Sequence, residues 1–170
     1  NVIGGGDFAK ARLVPDCFRA IQTNEKVVIR NPRATRPFQH VLEPLFAYMM
    51  IAEKQIAQPE LAGAYNIGPK ENDIQSVSEM LMHFQTIWNS GKFGKDTPFD
   101  WMYTEEHNAP HEAAMLSLNC EKIQQKFGWS SKWNAYEAVY KSIEWMEYYL
   151  QGKDVCTCMQ KQMKEYLSAK

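Results

Sequence analysis

Near the start of the chain, Gly4-Gly5-Gly6-Asp7-Phe8-Ala9 satisfies G-x-G-x-x-G/A, the pattern of a loop that cradles a dinucleotide pyrophosphate. That chemistry needs a buried strand before the first glycine, a helix straight after it, and an acidic residue about twenty positions on. Only Asn1-Val2-Ile3 precede the glycines, and the next apolar run ends in Arg30. Arg30 suits a 2′-phosphate, yet no regular series of βα units follows. The spacing therefore predicts a turn in which glycines permit positive φ and a close backbone approach to a ligand. A second textual match, Tyr149…Lys153, fits Tyr-x-x-x-Lys but falls at the end of an amphipathic helical pattern, and we read it as chance. Cys17, Cys120, Cys156 and Cys158 lack metal-site spacing, and the histidines are not arrayed around Cys156-Thr-Cys158. No metal site is expected; reduced thiols of a cytoplasmic protein are.

The elements that must position these groups can be read from pattern. The 170 residues have the size of one domain, with 19 basic against 20 acidic residues and a net charge of -1. That balance gives no reason to expect nucleic acid or an anionic membrane as a partner. No apolar run approaches the roughly 20 residues that span a bilayer. The first residue is Asn rather than Met, so the start is expected to be processed, trimmed or not the true start.

Residues 13–21 predict a helix with Pro15 in its first turn, and 26–30 a short strand. The stretch NPRATRPFQH, with two prolines and no period, predicts an irregular segment. A helix opening at Glu43-Pro44 is apolar nearly all round, which predicts burial on most sides. Residues 64–67 and 114–118 are candidate strands. Ser76-x-x-Glu79 is a capping box opening a helix with Val77, Met80, Leu81, Phe84, Ile87 and Trp88 on one face. Residues 89–113 predict a long loop with a strand near Trp101 and Tyr103, aromatics that suit either a pocket lining or the core. Asn119 is placed to cap a short helix ending at Gly128, and Asn134-x-x-Glu137 opens another through Val139, Ile143, Met146 and Leu150. Residues 153–170 predict a terminal helix or a frayed tail. The chain is read as one compact α/β unit.

Taken in order, NVIGGGDFAKARLVPD, VVIRNPRATRPFQHVLEPL, AYNIGP, PHEA and LNCEKIQQKFGW resemble the C-terminal part of the extended short-chain dehydrogenases/reductases. Within them the chain is most similar to the CDP-glucose 4,6-dehydratase family. The resemblance spans essentially all the residues. It implies an incomplete Rossmann-type α/β fold of short strands and amphipathic helices: a single substrate-binding unit over 1–170, with the N-terminal NAD-binding half absent. The whole enzyme would oxidise a nucleotide sugar at C4, eliminate water across C5–C6 and return the hydride to C6. It would work as a homo-oligomer with NAD as cofactor. This part alone is expected to bind and orient CDP-glucose or a related nucleotide sugar without turnover; the alternatives are a dehydratase or epimerase of the same superfamily acting on another nucleotide sugar, or a non-catalytic nucleotide-sugar-binding module.

The resemblance also implies site residues. Asn1 matches an asparagine beside the sugar diphosphate, Arg12 and Leu13 a segment approaching the nucleotide sugar, and Val28 and Arg30 a stretch lining the base pocket. Arg36 matches the arginine that neutralises the diphosphate, a task suited to guanidinium geometry. Arg30 and Arg33 are alternatively solvated surface charges. Gln39 and His40 are candidates for substrate choice, against a packed, hydrogen-bonded His40. Asn66 corresponds to a diphosphate contact or else a turn asparagine. His111 and Glu112 lie in the long loop, where Ala109-Pro110-His111-Glu112 departs from the arginine of many relatives and a partly protonated His111 would bring positive charge near phosphate.

Overall fold

The computed structural model describes residues 1–93, 97–104 and 114–169. In chain order these form β1 (Val2–Ile3), α1 (Leu13–Thr23), β2 (Val27–Ile29), β3 (Thr35–Arg36), β4 (Gln39–His40), α2 (Leu42–Ala57), β5 (Gln75–Ser76), α3 (Val77–Trp88), β6 (Trp101–Tyr103), α4 (Glu121–Phe127), α5 (Ala135–Leu150) and α6 (Val155–Ser168), with 3₁₀ turns at Pro59–Leu61 and Glu71–Asp73. Among the described residues the strands pair two at a time: β1 with β4 and β2 with β6 in parallel, β3 with β5 antiparallel.

Helices supply most of the core. Phe18 of α1, Phe84 and Trp88 of α3 and Phe99 form an aromatic cluster, with centroids 4.6–6.3 Å apart. Val139 and Ile143 of α5 join the same apolar core. A second core gathers Ala47 of α2 with Ile123 and Phe127 of α4 and Trp129. Both capping boxes form: Ser76 accepts from the Glu79 N–H at 3.2 Å, and Asn134 from the Glu137 N–H at 2.9 Å. Gly128 closes α4 at φ +70, and the terminal segment is a helix.

Four expectations need correction. The proline-bounded irregular segment contains β3 and β4, because pairing with β5 and β1 supplies hydrogen-bond partners from elsewhere in the chain. Residues 64–67 are not a strand, since their backbone is tied by side chains instead. Gln39 donates to the Ile67 carbonyl and Lys122 to that of Ala64, at 2.8 and 2.9 Å. Residues 114–118 make only a bridge from Met115 to Thr35, limited by the two-residue length of β3. Asn119 sits one residue before the cap of α4, where its Oδ1 accepts from the Glu121 N–H at 2.9 Å. A fifth concerns α2. Only Glu43, Pro44 and Ala47 are buried, while Met49 is 62% and Ile56 85% exposed. Its apolar residues face both a core and an open groove.

Candidate functional site

A cleft of about 380 Å³ opens between the start of the chain, the N-terminus of α1 and β3. Asn1, Arg12, Leu13 and Arg36, assigned separately in the sequence, meet there. Arg36 is held by the antiparallel pairing of β3 with β5, opposite Gln75, and is only 8% exposed. Its Nη1 donates to the Thr35 carbonyl at 2.7 Å. Arg12 caps α1 in extended geometry without a side-chain cap bond, after Ala11 in the left-handed region at φ +59. Two guanidiniums beside a helix N-terminus favour an anionic occupant. Asp7 is the acid among the described lining residues, with no His, Cys, Lys or Tyr beside it, so the arrangement suits binding and orientation.

A second cleft, about 420 Å³, adjoins the first through Leu13 and is lined by Val28 and Ile29 of β2. Val28 is exposed there, paired in register with Met102 of β6. Arg30, just past β2, is exposed and lines neither cleft. Trp101 packs against the core, while Tyr103 is exposed.

The structure separates other candidates from this site. The Gln39 side chain is spent on the Ile67 carbonyl. His40 is 2% exposed, lies edge-on to Trp133 at 5.0 Å between ring centroids, and accepts at Nδ1 from the Leu42 N–H at 3.3 Å. Burial first, then the charge of Lys141, press its pKa down to about 3, so it is neutral and structural. Asn66 is exposed and donates to the Asn119 carbonyl at 3.1 Å, outside both clefts. His111 and Glu112 lie outside the described residues. Val2, Ile3, Asp7, Ala11, Phe38 and Val77 also line the cleft and were not among the expected residues. Asp7 alone left a signal, an Asx turn whose Oδ1 accepts from the Ala9 N–H at 3.0 Å.

The glycine turn beside the cleft is shaped by packing. A Cβ on Gly5 would stand 2.0 Å from Cγ of Trp145, and one on Gly4 2.8 Å from Cγ1 of Val41. Gly6 has φ +78. Tyr149 stacks on Trp145, whereas the Lys153 ammonium lies over the Tyr148 ring, so the Tyr149…Lys153 match forms no catalytic pair.

No family model matches the chain. A CDP-glucose 4,6-dehydratase of Salmonella typhimurium is 36% identical over 170 residues, covering 99% of this chain and 45% of that protein. The chain thus spans less than half the length of this curated relative, and corresponds to its C-terminal part. A UDP-glucuronic acid 4-epimerase from Bacillus cereus, in complex with UDP-glucuronic acid and NAD, superposes with a TM-score of 0.66 at 15% identity, over 84% of this chain and 41% of that one. A dTDP-glucose 4,6-dehydratase from Bacillus anthracis in complex with NAD gives 0.61 at 17% identity, over 90% and 44%. The chain has the fold of the C-terminal part of an extended short-chain dehydrogenase/reductase. Within that fold, the glycine turn does not fit a dinucleotide. Trp145 occupies the space over Gly5, and α1 begins only at Leu13, after an exposed loop.

Proposed function

We propose that this chain is the nucleotide-sugar-binding part of an NAD-dependent CDP-glucose 4,6-dehydratase, a cytoplasmic, oligomeric enzyme of deoxysugar synthesis for polysaccharides. The observation that carries the reading is the buried Arg36, brought to one cleft with Asn1, Arg12 and Leu13. A cation so placed gains from a charge-assisted contact to phosphate, worth about 1.5–3 kcal/mol net. The adjoining cleft along β2 is the place for the base, and the first cleft for the diphosphate. The 36% identity to a CDP-glucose 4,6-dehydratase supports the choice of nucleotide and reaction. Conversion of CDP-glucose to CDP-4-keto-6-deoxyglucose and water belongs to the whole enzyme. This chain binds and orients the sugar nucleotide, and NAD would be held mainly by the N-terminal half of the enzyme.

Titration of the whole enzyme with CDP-, UDP-, GDP- and dTDP-glucose tests the reading. Preference for CDP-glucose is expected. Equal or better turnover with another nucleotide overturns the CDP assignment, and no affinity for any of them overturns the nucleotide-sugar reading itself.

A further inference from the structure

The loop between the glycine turn and α1 supplies Asp7, Ala11 and Arg12 to the cleft, yet from Phe8 to Arg12 it is exposed. Ala11 sits in the left-handed region at φ +59, a conformation unfavourable for a residue with a Cβ. Such a loop needs an external hold to keep Arg12 at the cleft. The structure supplies one. Arg19, in the middle of α1, reaches back with a forked guanidinium. Its Nη1 donates to the Phe8 carbonyl at 3.2 Å, its Nη2 to the Ala9 carbonyl at 2.9 Å, and the group pairs with Asp16. The Phe8 ring meets Tyr149 at 5.2 Å and Trp145 at 6.3 Å, pinning the other side of the loop to α5.

We infer that Arg19 is a positioning residue for the anion site, strapping the Phe8–Ala9 carbonyls to α1 so that Arg12 is presented to the diphosphate. With its fork committed to two carbonyls and one carboxylate, it acts through the loop. Only a planar, multidonor head bridges consecutive carbonyls while keeping an acid partner; a lysine ammonium is a point charge on a flexible stem. The inference rests on the nucleotide-sugar reading for its ligand, but its structural half does not.

The test combines limited trypsin cleavage with calorimetry on the protein carrying Arg19→Met, Arg12→Ala and both changes. Cleavage after Lys10, exposed in the middle of the loop, is expected to run at least about fivefold faster in Arg19→Met, and CDP-glucose binding to weaken about five- to tenfold. Arg19→Lys should fall between. In the double variant the second change should cost little more affinity, since a released loop no longer presents Arg12; a role unrelated to Arg12 gives additive losses. Unchanged cleavage after Lys10, or additive losses in affinity, overturns the inference. Should the unmodified protein bind no nucleotide sugar, the functional reading fails alone, and the cleavage rate still decides the strap. Should Arg19→Met not fold, Arg19→Lys carries the same comparison.

Discussion

Arg36 and His40 are four residues apart and both buried, yet chemistry sends them to opposite ends of their segment's work. The guanidinium of Arg36 lines a cleft; the imidazole of His40 gives its charge up to be packed. Replacing Arg36 by Ala should weaken CDP-glucose binding about ten- to hundredfold, the range of one lost charge-assisted contact. Calorimetry that finds unchanged affinity in a folded variant removes Arg36 from the site. For His40, the folded pKa of about 3 lies below the ordinary value of 6.5. The unfolded chain therefore takes up a proton that the folded one refuses. The stability owed to neutral His40 is complete above about pH 6.5 and drains away as pH falls towards 3, with a slope of at most about 1.4 kcal/mol per pH unit. Asp73 works the other way. Burial raises its pKa to about 6, so its stabilisation is full below its ordinary 3.8 and is lost as pH rises through 6. The measurement is thus the difference between wild type and His40→Gln in denaturant midpoints across this range. A difference that does not change with pH contradicts the assignment.

At the scale of elements, what was legible in the sequence was what is decided within a few residues. The boxes at Ser76 and Asn134, the left-handed stop at Gly128 and Pro15 in the first turn of α1 are local bargains between a side chain and its own backbone. Residues 64–67 read as a strand because Gly63 and Gly68-Pro69 bound them. Their carbonyls are claimed by Gln39 and Lys122, partners no local pattern announces. The site divides in the same way. Asn1, Arg12, Leu13 and Arg36 line one cleft, whereas Gln39 and His40 follow Arg36 in sequence but turn away from it. The glycine turn was read correctly as a turn, but its reason lies on α5, in Trp145. Gly5→Ala should therefore destabilise the protein by about 1–3 kcal/mol through overpacking, seen as a lower thermal midpoint. Trp145→Leu in the same chain should recover part of the loss, since it makes room for the methyl group. A Gly5→Ala protein as stable as the parent would mean that the indole is not fixed over the turn.

Across the whole molecule, polar and apolar surfaces are kept apart. The clefts beside α1 carry the arginines, while α2, α5 and α6 enclose a groove of about 630 Å³ lined by Leu45, Met49, Met159 and Met163, each roughly half exposed or more. A contiguous apolar surface of this kind is a liability for a monomer in water. The chain on its own should bind an anilinonaphthalene dye and associate as its concentration rises. The pair Met49→Gln and Met163→Gln should lower both effects without moving the denaturation midpoint by more than about 0.5 kcal/mol. Dye binding that survives both changes would place the sticky surface elsewhere. Trp145 is common to the two sides: its ring roofs Gly5 and touches Phe8, and it also lines the groove. One fluorophore thus borders the strap of the anion site and the apolar groove together. Isolated from the other four tryptophans as the difference from a Trp145→Phe protein, its emission colour should report loosening of the first and its energy transfer to a bound dye filling of the second.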